Sequence, residues 1–185
     1  MRWQSRGATL LELMIAIAVV AVALAMAVPN FARMVADNRV ASASDSLVNT
    51  FQYARNMALR GEQPVTVCPV ASAGATTCDS AWDDDWSVIV PAAASSSTLM
   101  VLASNRVGAG GVTVTGNAAT PGPIVFTPRG LVTGLPAGGS EIFAVCGARG
   151  AAHAGAVMLN SAGYVEATAT LGQDPNGAAL SCPNG

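Results

Sequence analysis

The fold is decided by the stretch Gly7-Ala8-Thr9-Leu10-Leu11-Glu12 and by the apolar run that continues from it to Val28. Across the 21 residues from 8 to 28, the only polar side chains belong to one threonine and one acid. As a helix this run rises about 31 Å, which matches the hydrocarbon core of a bilayer. Arg2 and Arg6 precede the run and no basic residue lies inside it, so the leader is predicted to stay cytoplasmic and the rest to be exported.

Glu12 is the one acid of the run, and at the bilayer centre it would cost about 3 kcal/mol. Together, Gly7, an acid five residues later and Pro29 after the run resemble the class III signal of type IV pilins and pseudopilins. In that family a prepilin peptidase cuts after the glycine and methylates the new amine, and the acid is the fifth mature residue. The resemblance therefore implies cleavage after Gly7, methylation of Ala8 and a role of Glu12 in assembly. The family usually has phenylalanine where this chain has Ala8.

An ordinary secretory signal is the competing interpretation of the same stretch. Arg2, Arg6 and the apolar run also satisfy such a signal, with Ala25-Met26-Ala27 near the end of the run as a small-x-small cleavage site after Ala27. Glu12 inside the apolar region and Pro29 just after the cut both argue against it.

The helix is predicted to continue past Pro29. Proline removes one backbone donor and crowds the carbonyl group of Ala25, so a kink is expected rather than a break. Beyond it an apolar stripe recurs at helical spacing, and Arg60-Gly61 supplies a stop with glycine available for the left-handed cap. The stripe consists of Val40, Leu47, Phe51, Ala54 and Ala58.

After Gly61 the pattern changes to short apolar or alternating runs, separated by clusters of Gly, Pro, Ser and Asn. This pattern indicates antiparallel strands and turns. A long helix followed only by strands predicts an α+β fold, in which an apolar half and then an amphipathic half of the helix precede a sheet packed on the apolar stripe. The runs are 65–70, 86–90, 99–102, 112–114, 124–126, 142–146, 156–159 and 164–168.

All four cysteines lie beyond the membrane segment, which predicts disulfides in an exported domain. Three connectivities are open for four cysteines. Sequence proximity favours Cys68 with Cys78, which leaves Cys146 with Cys182. The glycine-rich tail after Gly172 would then be tied down by Cys182.

Several later segments are similar to the GspH/FimT branch of minor pilins and pseudopilins. They are Phe51–Arg60, Val65–Cys68, Cys78 followed by Trp82 and Trp86–Val90, Ile124–Gly130, Phe143–Gly150 and Val157–Val165. The resemblance implies the type IV pilin fold and a low-abundance, non-enzymatic subunit that primes assembly and sits near the tip of a type IV pilus. Close relatives in type II secretion make a minor pseudopilin the alternative.

A DNA-binding subunit of the pilus tip is the second alternative. Some relatives bind DNA through a Gly-Arg-x-Arg element, but the matching positions here are Gly163-Tyr164-Val165-Glu166, without either arginine. The exported part carries seven arginines against ten acids, a net charge of −3 that does not favour nucleic acid. Arg129 and Arg149 are the candidate contacts that are left, and turn arginines bonded to carbonyl groups are the simpler interpretation.

Neither a catalytic site, a metal site nor a cofactor is predicted. His153 is the only histidine and lies among small residues, as expected of a solvated loop. The acids Asp83-Asp84-Asp85 are consecutive, so their side chains point apart, and a solvated loop between Trp82 and Trp86 is expected instead of a calcium site.

Together these features predict an inner-membrane subunit with a periplasmic C-terminal domain that later enters a pilus fibre. Its expected partners are the membrane, the prepilin peptidase, the inner-membrane assembly platform, and other minor and major pilins. The predicted boundaries are a leader at 1–7, an apolar helix at 8–29, an amphipathic helix at 30–61 and a disulfide-bonded β domain at 62–185.

Overall fold

The structure is a computed structural model that describes residues 9–79, 82, 85–91, 99–106, 111–116, 122–136 and 139–182. The chain divides into two compact units, Met1–Val35 and Ala36–Gly185, and the boundary lies within a helix.

That helix, α1, spans Leu10–Gly61 and contains Pro29 in its interior. The expectation that the helix continues through the proline is confirmed. Its end differs from the expected cap, because the residue in the left-handed region is Glu62, with φ at 49°, and not Gly61. Gly61 still belongs to the helix, so the residue that leaves it is the one after the glycine.

Among the described residues nine strands follow α1, and every ladder between these strands is antiparallel, as predicted. One sheet of five strands has the order β3-β2-β1-β5-β6, and a second sheet of four strands has the order β4-β7-β8-β9. The strands are β1 Val65–Val70, β2 Asp85–Pro91, β3 Leu99–Arg106, β4 Thr113–Gly116, β5 Ile124–Phe126, β6 Val132–Thr133, β7 Ser140–Cys146, β8 Gly155–Asn160 and β9 Val165–Ala167.

The strands differ from the sequence prediction in four respects. They form two sheets instead of one, and β6 was not expected, because a two-residue strand carries no periodic signal. β3 runs on to Arg106, past a bulge in its pairing with Val88 and Ile89. Asp85 opens β2 and is only 6% exposed, so the solvated loop expected for this acid is wrong; Asp83 and Asp84 lie outside the described residues.

The predicted apolar stripe of α1 forms one wall of the core of the second unit, and all of its members are buried. Phe51 occupies the centre of this wall. Its ring centroid lies 6.2 Å from that of Phe126 in the first sheet and 5.3 Å from that of Phe143 in the second. Trp82 closes the cluster at 5.0 Å from Phe143 and 6.2 Å from Phe51. One helical side chain therefore joins both sheets to the helix.

A buried hydrogen-bond chain fixes the helix against the first sheet. Trp86 donates its indole N–H to Thr50 Oγ1 at 3.0 Å, and the same hydroxyl donates to the carbonyl oxygen of Ser46 at 2.8 Å. Because a buried indole N–H without an acceptor would cost about 1–3 kcal/mol, this contact sets the rotation of α1 over β2.

Replacing Phe51 with alanine should lower the free energy of unfolding by about 3–5 kcal/mol, because a ring in contact with three other aromatic side chains is lost. Urea unfolding of the detergent-solubilised chain measures it. Tyr53→Ala is the matched control, since Tyr53 is 40% exposed on the same helix. Equal losses for the two variants would contradict the central position of Phe51.

Replacing Glu62 with glycine should raise the free energy of unfolding by about 0.5–1 kcal/mol. The left-handed conformation at φ 49° is strained for a residue with a side chain, and glycine adopts it freely. The same unfolding measurement tests it, with Glu62→Ala as the control that keeps the strain. A destabilised Glu62→Gly would show that the side chain contributes more than its backbone strain costs.

Candidate functional site

Helix α1 begins at a hydrogen-bonded cap made by Thr9. Its Oγ1 accepts a hydrogen bond from the backbone N–H of Glu12 at 3.2 Å, and its carbonyl oxygen accepts one from the N–H of Leu13 at 3.1 Å. The first N–H groups of a helix have no partner within the helix, so the threonine supplies a missing acceptor. Gly7 and Ala8 lie outside the described residues, so the expected cleavage site carries no structural account.

The cap places Glu12 in the first turn of α1, where the positive end of the helix dipole favours a carboxylate. Thr9 is missing from the site residues expected from the sequence. A readable signal for it exists, because Thr-x-x-Glu ahead of an apolar run is typical of a capped helix start.

We call residues 10–34 of α1 the apolar segment. Its large apolar side chains are exposed, from 54% at Met34 to 77% at Leu10. A window of 18 residues in this helix has a mean hydropathy of 2.7, and none of its residues is buried. By length and composition, the helix can therefore cross a bilayer. An apolar surface of this extent requires lipid or other apolar chains around it.

Pro29 interrupts the backbone ladder of α1 without ending the helix. Its ring nitrogen cannot donate to the carbonyl group of Ala25. The side chain of Asn30 donates from Nδ2 to the neighbouring carbonyl oxygen of Met26 at 3.1 Å, which adds a bond at the weakened turn. The kink itself stays a prediction.

Arg149 ties the second sheet to the flank of α1. Its Nη1 donates to Asp37 Oδ2 in an ion pair, and its Nη2 lies 3.0 Å from His153 Nε2. The side chains of Arg149 and Asp37 are 27% and 34% exposed. His153 ends a single turn of 3-10 helix, Ala151–His153, and is half-buried, so the solvated loop expected for it is wrong.

Arg55 joins α1 to a second turn of the same sheet, 18 residues after Asp37 along the helix. Its Nη2 donates to the carbonyl oxygen of Ala162 at 3.3 Å, in the turn between β8 and β9. Gly163 in this turn has φ at 75°, and a Cβ there would lie 2.3 Å from the carbonyl oxygen of Gly130 and 3.0 Å from Arg55 Nε. Only glycine fits at position 163, because the turn at Gly130 and the side chain of Arg55 leave no room for a Cβ.

The structure does not bring the two candidate DNA contacts together. Arg149 pairs with Asp37, whereas Arg129 is exposed in the turn whose Gly130 packs against Arg55. Asp37 and Arg55 are 18 residues apart on α1, about 27 Å as a helix. The two arginines therefore cannot grip one phosphate group.

Two disulfides are present, Cys68–Cys78 and Cys146–Cys182. The second holds the C-terminal tail against the outer face of the second sheet, where Leu180 packs beside Ala144 and Ala154. A backbone hydrogen bond of 2.8 Å from the N–H of Gly172 to the carbonyl oxygen of Ala154 adds to this attachment.

Two family models match the chain. The model of the prokaryotic N-terminal methylation motif matches residues 4–28, and that of the type II transport protein GspH matches residues 43–163, more than half of the chain. The chain belongs to the GspH family. The resemblance inferred from the sequence is thereby confirmed. This family consists of pilin-like structural subunits, so membership implies contacts with other pilins or pseudopilins and with a prepilin peptidase.

Solved structures show the same fold. The type IV minor pilin FimU of Pseudomonas aeruginosa strain PAO1 is 22% identical, with 77% of this chain and 93% of that chain covered and a TM-score of 0.54. GspH of E. coli is 14% identical, with 76% and 93% covered and a TM-score of 0.52. No curated protein matches the chain by sequence. These likenesses confirm the predicted α+β pilin fold, a long helix packed on antiparallel sheets.

Replacing Asp37 with asparagine in this GspH-family chain should lower the free energy of unfolding by about 0.5–1 kcal/mol at low salt. The guanidinium of Arg149 loses its ion pair, and because both side chains are partly exposed, the loss stays small and shrinks at high salt. Urea unfolding at two salt concentrations measures it. Asp45→Asn, at an exposed acid of the same helix, is the control, and equal salt sensitivity in both variants would contradict the ion pair.

Removing the disulfide of the tail should cost more than removing the other one. On the loop-entropy model the Cys146→Ala, Cys182→Ala variant loses about 4 kcal/mol and the Cys68→Ala, Cys78→Ala variant about 3 kcal/mol, because the closed segments differ in length. Their sequence separations are 36 and 10 residues. Urea unfolding of both variants decides the order, and the reverse order would refute it.

Proposed function

We propose that this chain is a minor pilin that takes part in initiating a type IV pilus and sits near its tip. One observation carries the proposal: a methylation motif at residues 4–28 covers most of the exposed apolar segment, and a GspH-family domain follows from residue 43. The N-methylation motif and the apolar helix fit membrane anchoring and later incorporation into a fibre. The pilus type is favoured by the likeness to FimU, a type IV minor pilin.

The proposed pathway begins in the inner membrane with the domain in the periplasm, since Arg2 and Arg6 favour a cytoplasmic leader. Prepilin peptidase cuts after Gly7 and methylates Ala8. The assembly platform then moves the apolar segment from lipid into the helical core of the fibre. There the carboxylate of Glu12 meets the amine of Ala8 or that of an adjacent subunit, because a charge in an apolar core needs an opposite charge. The domain itself carries no enzymatic activity in this proposal.

Glu12→Ala should leave cleavage intact and abolish incorporation into pili. The reason is that an unpaired amine would have to enter the apolar core of the fibre. Immunoblots of sheared fibres and of membranes measure the partition of the subunit. Asp45→Ala removes an exposed acid from the amphipathic part of the same helix and should incorporate normally. Normal incorporation of Glu12→Ala into pili would contradict the proposed role of Glu12.

Intact mass of the membrane-extracted chain tests the processing step. We expect the mass of residues 8–185 with one added methyl group and four oxidised thiols. A chain that begins after Ala27 would instead establish the ordinary secretory signal and remove the membrane anchor from the proposal.

A minor pseudopilin of type II secretion is the alternative, and the name of the matching family and the likeness to E. coli GspH favour it. Deletion of the gene separates the two. Loss of twitching motility supports the pilus, and loss of exoprotein export supports secretion.

Binding of DNA at the pilus tip is the second alternative, with Arg129 as its exposed candidate contact. The engagement of Arg149 with Asp37 weakens this alternative, because a paired arginine is a poor phosphate ligand. A gel-shift with the full chain in detergent at two salt concentrations tests it. Salt-sensitive binding that Arg129→Ala removes would support it.

A further inference from the structure

We propose that the Cys146–Cys182 disulfide is a site of thiol–disulfide exchange, at which a dithiol opens the bond and releases the tail after Gly172. The reacting partner is a small dithiol or a protein dithiol of the Cys-x-x-Cys class. The reaction concerns the folded second unit alone, so it stands or falls independently of the proposed role in a pilus.

A surface cavity of about 230 Å³ gives reagents access to this disulfide. Both cysteines line the cavity, and the described residues around them have small side chains that do not shield the sulfur atoms. These residues are Gly111, Thr113, Gly147, Ala148 and Gly150. Cys182 is half-buried whereas Cys146 is only 5% exposed, so the geometry favours attack on the sulfur of Cys182.

The exchange conserves atoms and electrons. One thiolate of the dithiol attacks Cys182 Sγ and forms a mixed disulfide, while the bond to Cys146 breaks and Cys146 Sγ leaves as a thiolate that takes up a proton. The second thiol of the reagent then displaces Cys182 and closes the reagent's own disulfide. The protein gains two thiols, and the dithiol is the species that is oxidised.

The Cys68–Cys78 disulfide differs at its inner sulfur. Cys78 is exposed, but Cys68 is 0% exposed and packs beside Val70 and Ile89 on the first sheet. A thiolate released at Cys68 would be enclosed by apolar side chains, which makes this sulfur a poor leaving group. Cys146 instead borders the cavity, so water reaches the thiolate that it releases. Only the tail disulfide therefore combines an accessible sulfur with a hydrated leaving group.

The remaining contacts between the tail and the second sheet are not covalent. The N–H of Gly172 donates to the carbonyl oxygen of Ala154 at 2.8 Å, and Leu180 packs beside Ala144 and Ala154. Asp174 Oδ1 accepts hydrogen bonds from the N–H groups of two residues of the tail itself, so these bonds do not attach the tail to the sheet. Opening the disulfide thus frees the tail to leave the outer face of the sheet.

Graded reduction of the oxidised full-length chain in detergent tests the order of opening. The chain is treated with dithiothreitol, free thiols are blocked with iodoacetamide at successive times, and mass spectrometry of peptides reports each cysteine. We expect Cys146 and Cys182 to be reduced about fivefold or more faster than Cys68 and Cys78. Equal rates or the reverse order overturn the proposal.

The monothiol glutathione identifies the attacked sulfur in the same chain. After a short exposure that is ended with excess iodoacetamide, we expect glutathione on Cys182 and the blocking group on Cys146. Glutathione found on Cys146 instead overturns the direction of attack.

A cavity-filling variant tests the route of access. Ala148→Phe should slow reduction of the tail disulfide about threefold or more and leave that of Cys68–Cys78 unchanged. Ala169→Phe is the matched control, because Ala169 is exposed and lines a cavity that neither cysteine of the tail disulfide borders. An unchanged rate in Ala148→Phe contradicts access through the cavity.

Hydrogen exchange measures the release of the tail. In the chain with only Cys146 and Cys182 reduced and blocked, we expect the amides of Gly172 and Leu180 to exchange about fivefold or more faster than in the oxidised chain. The amide of Leu47, in the buried part of α1, should keep its rate. Unchanged exchange at Gly172 and Leu180 would show that the tail stays in place without the bond, which overturns its release.

Discussion

The packing of Phe51 between two sheets is the contact on which the rest of the second unit depends. Each sheet buries one face and neither could bury it alone, because four or five short strands leave their apolar sides open to water. The helix supplies the common partner, with Phe126 on one side of the ring and Phe143 on the other. The tie from Thr50 to Trp86 then fixes how far the helix is rotated, and the ties of Asp37 and Arg55 fix its other flank.

Most of this architecture could be predicted from local patterns. The buried stripe around Leu47 and Phe51 repeats at the helical period, and the strand runs alternate between turn residues, so most elements apart from β6 are recognisable in the sequence. The division into two sheets could not be predicted, because partner choice between strands depends on contacts distant in sequence. Glu62 shows a smaller limit: the sequence contains a suitable glycine at position 61, yet the helix includes it and turns one residue later.

Some residues of the candidate site could likewise be predicted from the sequence, and others could not. Glu12 could be found by counting from Gly7, and Thr9 could have been found from its spacing to Glu12, since both signals lie within one turn. The engagement of Arg149 could not, because Asp37 lies 112 positions away and nothing in either local stretch marks the partner. A free arginine and a paired one look alike in sequence. Only the fold shows that one candidate DNA contact is already occupied.

The Cys146–Cys182 bond has a mechanical consequence for the folded domain. The bond and the chain between its two cysteines form a closed covalent loop, which contains β8, β9 and most of the tail. The two cysteines are 36 residues apart in sequence. A chain stretched from its two ends would bypass this ring, and its extended contour would be shorter by about 120 Å, at about 3.4 Å per residue. Force applied to the two ends can therefore extend α1 and the strands that precede Cys146, while the segment between β7 and the tail remains a closed loop.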